Sequence, residues 1–236
     1  MARTSLKERM LFLAPLVLQT AIWIPTRIIL FVFLRFSVRG LEHVRSLKGS
    51  VVFAANHGSE WDPVLIPAAL PFLSPLMPMF YTSRERSFYG KKGIQAFLYG
   101  GLFFKIWGAY PVKVGMRNYG RSLKTHIRIL EEGHGSICIF PEGGKTKDGR
   151  LHTERAKGGV SFLAHRAGVP VVPVAISGIF NMKKKDFFLR RRKVVVTFAS
   201  PLFPSEFSPA GYMNPEECKK AARKIMEEVK KNVSDV

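Results

Sequence analysis

The sequence predicts an α/β protein, with a mostly parallel or mixed sheet flanked by helices and an N-terminal membrane-embedded helical segment. Three observations support this prediction. The chain begins with a long apolar run, it alternates short β-branched runs with amphipathic segments after Gly40, and its 236 residues are enough for one substantial domain plus an appendage. We therefore predict an N-terminal segment at residues 1–39 and a folded domain at residues 40–236.

The N-terminal apolar run covers residues 10–34 and is interrupted by Arg27 and by two prolines, Pro15 and Pro25. Its charge-free part, residues 10–26, is at the short limit of the ~17 to 25 residues that span a bilayer. Basic residues flank the run on both sides, which is typical of segments that contact lipid. We predict a membrane-anchoring helix, or a helical hairpin broken near Pro25, and leave a buried core helix as the alternative.

Buried strands and helices alternate in the rest of the chain. Bounded, β-branched runs predict strands at residues 51–55, 136–140, 169–176 and 193–199. Apolar periodicity with a glycine just past the end predicts helices at residues 119–132 and 156–167, and a third, amphipathic helix is predicted at residues 215–229. The strand, helix and strand between residues 136 and 176 form a βαβ unit, which predicts that its two strands are parallel.

Composition limits the functional classes. The formal net charge is +20 and the sequence pI is about 10.3, which indicates an anionic partner: nucleic acid, an anionic membrane surface or an anionic substrate. With 47% hydrophobic residues, the chain does not belong to the disordered class. The two cysteines, Cys138 and Cys218, are too few for a disulfide framework or a structural zinc site, which favours a reduced compartment.

Two loops that directly follow predicted strands contain the candidate chemistry: residues 56–63, with His57 and Asp62, and residues 141–146, with Glu142 and Lys145. In open parallel sheets, ligands bind outside the carboxyl ends of the strands. If the two strands are parallel and close, both loops open onto the same edge of the sheet and their side chains converge. An antiparallel arrangement would separate them.

A histidine and an aspartate five residues apart can form an acid–base pair. Neutral imidazole is the best general base near pH 7, and a carboxylate on its other ring nitrogen orients it and stabilises the imidazolium. The chain has no Gly-x-Ser-x-Gly nucleophile, so His57 is predicted to activate a hydroxyl of a substrate or of water. The alternative is that Asp62 merely caps a helix that begins at Pro63, with the second loop an ordinary turn.

The motifs also carry a family resemblance between about residues 36 and 203. A first motif, Asn-His-x-x-x-x-Asp, is matched by Asn56, His57 and Asp62. A second, Phe-Pro-Glu-Gly, is matched by Phe140 to Gly143. A third, an apolar strand with a central proline, is matched by Val172-Pro173-Val174, which follows Lys157-Gly158. In this the sequence resembles the glycerolipid acyltransferase family, whose best-known members are the 1-acyl-sn-glycerol-3-phosphate acyltransferases. Val114 stands where the family usually has a phosphate-binding arginine, and Gly144 where it usually has Thr or Ser, which concerns the acceptor more than the reaction.

The resemblance implies an acyltransferase-type fold and a reaction. An acyl group would pass from a thioester, acyl-CoA or acyl carrier protein, to the hydroxyl of a lysophospholipid, most directly 1-acyl-sn-glycerol 3-phosphate, giving phosphatidic acid. No cofactor is implied beyond that co-substrate. Other acceptors (glycerol 3-phosphate or another lysolipid) and hydrolysis, by a thioesterase or lipid hydrolase with the same His-Asp pair, are the alternatives.

The resemblance also assigns roles to residues of this sequence. His57 would be the base, Asp62 would orient it, and the acceptor phosphate and its pocket would involve Lys145, Lys113 or Arg117, Glu142 and Gly143. Backbone amides around Gly58 or Gly143 are candidates for the oxyanion. The remaining histidines (His43, His126, His134, His152 and His165) share no ligand spacing, so no metal site is predicted.

A basic segment suggests where the charge acts. The apolar residues Phe187 to Leu189 lie between two basic clusters, Lys183 to Lys185 and Arg190 to Lys193. This pattern is typical of a segment that binds anionic lipid headgroups and inserts phenylalanine into the membrane interface. A solvated basic loop is the alternative. The chain has no recognisable nucleic-acid motif, so we expect a membrane-associated protein with its site on the cytoplasmic face and no nucleic-acid partner.

Overall fold

A computed structural model describes residues 6–85, 102–113, 118–207 and 214–234. The helices in these ranges are α1 (Leu6–Phe33), α2 (Glu42–Arg45), α3 (Asp62–Ala69), α4 (Leu102–Ile106), α5 (Tyr119–Ser122), α6 (Lys124–Glu131), α7 (Gly159–Ala167), α8 (Lys184–Phe188), α9 (Pro204–Phe207) and α10 (Pro215–Lys231), with a 3₁₀ turn at Thr153–Arg155. The strands are β1 (Arg35–Arg39), β2 (Val52–Ala55), β3 (Met79–Ser83), β4 (Ala109–Pro111), β5 (Ser136–Ile139), β6 (Val171–Ser177) and β7 (Lys193–Phe198).

Within the described ranges the strands form one seven-stranded mixed sheet in the order β1-β7-β6-β2-β5-β3-β4. Every neighbouring pair is parallel except β6 with β7. The predicted parallel relation between β5 and β6 is confirmed, because both pair in parallel with β2, which lies between them. The fold class predicted from the sequence is therefore correct.

The central strands are buried on both faces, which explains their continuous apolar runs. Val52 and Ala54 of β2 pack on the side covered by α6, α7 and α10, whereas Phe53 and Ala55 pack on the side covered by α3 and the end of α1. All four side chains are fully buried. The two layers hold β2 and β5 rigidly, and so they also fix the loops at the carboxyl ends of these strands.

Helix α1 is continuous through Pro25, so the alternative of a helical hairpin broken there is wrong. A proline removes one backbone hydrogen bond and usually kinks a helix. Here tertiary contacts hold the helix on both sides of it: the indole of Trp23 donates to the carbonyl of Leu70 (3.2 Å), and the guanidinium of Arg27 donates to that of Ala68 (2.9 Å).

The same helix lies against the folded domain along its length. Near its start Phe12 packs edge-on against Phe80 at 6.0 Å, and near its end Leu30 is fully buried, as is Leu34 just beyond it. The opposite side is apolar and exposed: Met10, Leu13, Val17, Ile24, Ile28, Phe31 and Val32. By length and composition alone, Met10–Phe33 could cross a membrane.

Two local predictions differ from the structure. The helix predicted at residues 119–132 is divided in two at Leu123, whose φ of −108° is not helical and whose side chain is buried. Helix α7 begins at Gly159 instead of residue 156, after the 3₁₀ turn. The division after residue 39 stays a prediction, but β1 lies on the N-terminal side of it and pairs with β7 in the sheet.

Candidate active site

The two predicted loops lie together at one edge of the sheet. Because β2 and β5 are parallel neighbours, the loops that follow them are adjacent and are hydrogen-bonded to each other. The backbone N–H of His57 donates to Oε1 of Glu142 (3.1 Å), and the N–H of Thr146 donates to the carbonyl of His57 (2.8 Å). The predicted convergence of the loops is confirmed.

His57 and Asp62 form a directly hydrogen-bonded pair. Nδ1 of His57 lies 2.8 Å from Oδ2 of Asp62, and the aspartate side chain is fully buried. Since a carboxylate only accepts, this contact places a proton on Nδ1 and leaves Nε2 as the basic nitrogen. The imidazole also stacks on Phe140 of the second loop, with ring centres 4.2 Å apart, so the ring is held at its edge and on its face.

The Asp62 carboxylate organises the whole loop and does not cap the helix that follows. Its Oδ2 accepts the N–H groups of Gly58 (2.7 Å) and Ser59 (2.8 Å) as well as the imidazole. Trp61 is the N-cap of α3, and no side chain caps this helix. The simple helix-cap interpretation of Asp62 is therefore wrong, because the carboxylate points back into the loop that precedes it.

Asn56 fixes the start of the loop to the sheet. Its side-chain amide donates to the carbonyl of Ile176 (2.9 Å) and its side-chain oxygen accepts the N–H of Ile176 (2.8 Å). This pair of hydrogen bonds continues the β2–β6 ladder after strand β2 has ended. An asparagine is suited to the position directly before His57 because its side chain can both donate to and accept from the backbone.

The two glycine amides considered for an oxyanion are already engaged. The N–H of Gly58 donates to Asp62, and that of Gly143 donates to the carbonyl of Phe140 (2.9 Å). Both amides have partners in this arrangement, and a role for the backbone amides around these two glycines stays a prediction. Both glycines contribute to the shape of the loops.

Glu142 joins the loops and is not among the residues that line the adjacent cavity. Burial raises the pKa of its carboxyl group, and the N–H of His57 opposes this rise by stabilising the charged form. In the structure Glu142 therefore lies behind the cavity, against the backbone of His57. The part in the acceptor pocket that the resemblance implied for it stays a prediction. Gly143, in contrast, does line the cavity.

A cavity of about 930 Å³ is lined by His57 and by a group of cations. We call the part of its wall at His57 the acid–base end and the part formed by the cations the cationic end. Its lining includes Lys113 and Lys145, as expected, and also Arg84 and Lys157. Lys145 forms an ion pair with Glu60, Nζ to Oε1 2.5 Å. Arg117 and Val114 lie outside the described residues.

The second loop and its neighbours shape this cationic end. Arg84, directly after β3, donates from Nη2 to the carbonyl of Gly143 (2.7 Å). Gly143 has a φ of +73°, and a Cβ there would lie 2.5 Å from Nζ of Lys157. Only glycine combines that backbone conformation with room for the lysine. Sequence reasoning did not assign Arg84 or Lys157 to the site.

The remaining walls of the cavity are apolar. Much of this apolar lining comes from three helices and their flanks: Ile22 and Trp23 of α1, Val64, Pro67 and Ala68 of α3, and Phe103, Phe104 and Trp107. Gln19 attaches α1 to the sheet, because its side-chain amide donates to the carbonyl of Met79 (2.7 Å) and accepts the N–H of Met79 (2.8 Å). The apolar N-terminal helix is thus part of the site.

The other histidines stand apart from this chemistry. His126 is fully buried, and burial lowers its pKa to about 4, so it is neutral near pH 7. His152 lies between the carboxylates of Asp148 (2.9 Å) and Glu154 (3.0 Å). Within the described ranges, no group of three or more potential ligands is arranged to hold a metal ion.

Comparisons with known proteins agree with this arrangement. The sequence model of the acyltransferase family matches residues 35–177. A chloroplastic 1-acyl-sn-glycerol-3-phosphate acyltransferase of Brassica napus is 26% identical over 180 residues, 75% of this chain and 48% of the relative. A 1-acyl-sn-glycerol-3-phosphate acyltransferase of Streptococcus pneumoniae is 25% identical over 206 residues, 84% of this chain and 69% of the relative. The chain thus spans about half the length of the Brassica relative.

Among solved structures, the fold is similar to that of the 1-acyl-sn-glycerophosphate acyltransferase PlsC from Thermotoga maritima. The TM-score is 0.60 with 21% sequence identity, and the match covers 91% of this chain and 80% of the other. At that identity the likeness concerns the fold.

Proposed function

The chain belongs to the acyltransferase family, and from that premise we propose that it transfers a fatty acyl group from a thioester donor to the hydroxyl of a lysophospholipid. The acceptor we favour is 1-acyl-sn-glycerol 3-phosphate, with phosphatidic acid as product, because relatives bear that activity in their names. One observation carries the proposal: a single cavity contacts His57, a cluster of cations and long apolar walls. An acyl acceptor with a phosphate and a hydrocarbon chain requires all three.

In the proposed reaction, Nε2 of His57 accepts the proton of the acceptor hydroxyl as its oxygen attacks the thioester carbonyl carbon. The new ester C–O bond forms and the C–S bond breaks. The proton on His57 then passes to the departing thiolate sulfur, so the base is regenerated. Asp62, held at 2.8 Å from Nδ1, stabilises the imidazolium between these steps.

The cationic end is suited to a phosphate monoester. Arg84, Lys113, Lys145 and Lys157 can supply charge-assisted hydrogen bonds to its oxygens, which would offset the arginine that is usual where this chain has Val114. The Lys145–Glu60 ion pair is exposed on both sides (43% and 77%). Such pairs contribute little free energy, so a bound phosphate can replace Glu60 on Lys145 at small cost.

Membrane association follows from the two sides of α1. One side packs on the folded domain from Phe12 to Leu34 and the other side is apolar and exposed. Exposed apolar patches of this size indicate contact with lipid or with another protein. We propose that α1 lies embedded in one leaflet with the domain beside it, on the cytoplasmic face, where the thioester donor is soluble and basic residues are favoured. An acyl chain could then enter the cavity from the bilayer.

The test is acyl transfer by detergent-purified protein from labelled acyl-CoA, and separately from acyl carrier protein, to a panel of acceptors. The panel contains 1-acyl-sn-glycerol 3-phosphate, glycerol 3-phosphate and other lysophospholipids, with the His57→Ala variant as control. A His57-dependent product from 1-acyl-sn-glycerol 3-phosphate supports the proposal. If only another acceptor is acylated, the proposed identity of the acceptor is wrong. If the donor is consumed when no acceptor is present, the protein is a thioesterase.

A further inference from the structure

The segment from Lys183 to Lys193 concentrates charge of one sign on the surface. Its one acidic residue, Asp186, is satisfied internally: it accepts the N–H of Lys183 (3.0 Å) and lies 3.7 Å from Nη2 of Arg192. The other cations are exposed, and none of them forms an ion pair with a carboxylate in the part of the chain that the structure describes: Lys183, Lys184, Lys185, Arg190, Arg191 and Lys193. The charge of Asp186 also acts on Lys185 and Arg191, but one carboxylate among seven cations leaves a strong net positive charge, which attracts a polyanionic surface.

Apolar side chains project between these cations. Phe188 is 65% exposed and Leu189 is 59% exposed. They continue the exposed side of α1, because the ring of Phe188 lies 5.6 Å from that of Phe33 and the guanidinium of Arg190 lies 5.9 Å from the ring of Phe31. We call the six cations together with Phe31, Phe188 and Leu189 the basic-apolar patch.

The patch lies directly beside the loop of residues 56–63, which contains His57 and Asp62. Phe187 stacks on Phe33 at 5.0 Å on one side and on Trp61 at 5.5 Å on the other. Trp61 separates Glu60, which lines the cavity, from Asp62. Whatever docks on the patch is therefore brought next to the residues that face substrate.

We propose that the basic-apolar patch is a docking surface for anionic lipid headgroups, with Phe188 and Leu189 in the interface and the six cations at the level of the phosphates. The charges fit anionic lipid. The apolar part fits a bilayer better than nucleic acid, because it continues into the aliphatic residues Ile28 and Val32, which offer no stacking surface for bases. The proposal rests on the proposed membrane association, and it is independent of the acyl-transfer reaction.

The experiment measures partition of the full-length protein, diluted from detergent, between buffer and vesicles recovered by flotation. Vesicles of phosphatidylcholine alone are compared with vesicles of phosphatidylcholine and phosphatidylglycerol at 7:3, at low and high NaCl. The test variant is K184Q/K185Q/R190Q/R191Q. The matched control, K220Q/R223Q/K224Q/K230Q, removes the same four charges from exposed positions on α10.

The wild-type protein should prefer the anionic vesicles, and salt should reduce that preference. The test variant should lose roughly 1,000-fold of the preference at low salt, because each of the four cations contributes about 1 kcal/mol. Its partition into neutral vesicles should stay unchanged because α1 is intact. The α10 control should behave as wild type. The variant F188S/L189S should bind both kinds of vesicle about tenfold more weakly.

Two results would overturn the proposal. One is the absence of an anionic preference in the wild-type protein; the other is an equal loss in the test variant and in the α10 control, which would make the effect one of net charge. If anionic vesicles are not preferred but the test variant loses affinity for a single-stranded oligonucleotide, the patch is a nucleic-acid surface instead. The His57→Ala variant should bind vesicles normally, so failure of the acyl-transfer assay and failure of docking can be distinguished.

Discussion

The two ends of the cavity are built by different physical means. At the acid–base end, a fully buried carboxylate holds His57, and a stacked ring holds its face at 4.2 Å. At the cationic end, Lys113, Lys145 and Lys157 are exposed and reach the cavity on long side chains. In the proposed reaction the first arrangement would fix the direction of one proton transfer, whereas the second would supply charge with adjustable geometry. Substitutions at the first end should therefore change the rate, and substitutions at the second should change acceptor affinity.

The largest effect is expected for His57→Ala. Loss of the general base should lower kcat roughly 10²- to 10⁴-fold. The protein should still fold, because Asp62 keeps its hydrogen bonds from the N–H groups of Gly58 and Ser59 and the hydrophobic core is unchanged. Val172→Ala in β6 is the opposite control. Truncation of this fully buried side chain should lower the free energy of unfolding by about 2 kcal/mol and leave kcat near normal. A near-normal rate for His57→Ala would exclude it as the base.

Asp62→Asn should lower kcat by roughly 10²- to 10³-fold, because a neutral amide cannot stabilise the imidazolium. The amide oxygen can still accept from Gly58 and Ser59, so the loop should keep its shape and the acceptor KM should change little. Steady-state kinetics separates the two parameters. Ser59→Ala, in the same loop, should keep the wild-type rate. A rise in KM alone for Asp62→Asn would mean that the carboxylate only shapes the loop.

At the cationic end, Lys145→Ala and Lys157→Ala should each raise the acceptor KM about tenfold, since each removes a charge-assisted hydrogen bond to phosphate. The donor KM and kcat should stay within about twofold. Lys147→Ala is the matched control, because Lys147 is exposed nearby but does not line the cavity. An equal rise in the KM values of donor and acceptor would mean that these lysines do not bind the acceptor phosphate. The proposed distinction between the two ends of the cavity would then be wrong.

The smallest effect on turnover is expected for substitution of His126. This residue should affect the pH dependence of the free energy of unfolding instead. Its pKa is about 4 in the folded protein and about 6.5 when unfolded, so the unfolded state binds more protons between these values. Stability from this group is complete above pH 6.5 and is lost as the pH falls toward 4. Denaturant unfolding at pH 5 should give about 2 kcal/mol less stability than at pH 7. His126→Gln should remove this part of the pH dependence.

Local patterns in the sequence were sufficient for four of the seven described strands and for one half of the site. Bounded apolar runs predicted β2, β5, β6 and β7 to within two residues at each end, because strands buried on both faces need continuous apolar side chains. Parallel order then brought His57 and Glu142 to the same edge. The pair of His57 with Asp62 followed from its five-residue spacing and from the family motif.

The other half of the site depended on contacts between distant parts of the chain. Arg84 reaches the cavity because β3 pairs with β5, and no pattern in the sequence had predicted β3. Lys157 reaches it because Gly143, fourteen positions earlier, leaves room for its side chain. Glu142 meets the backbone N–H of His57, which is 85 positions away in the chain, only because β2 and β5 are neighbours in the sheet.

The N-terminal segment shows the same division. Its apolar composition by itself determined that it would be a helix suited to lipid, since hydropathy and length are local properties. Only the tertiary structure decided that this helix stays unbroken at Pro25 and forms a wall of the cavity. The physical reason is that hydrogen bonds from Gln19, Trp23 and Arg27 to backbone groups more than 40 residues away outweigh the local preference of proline.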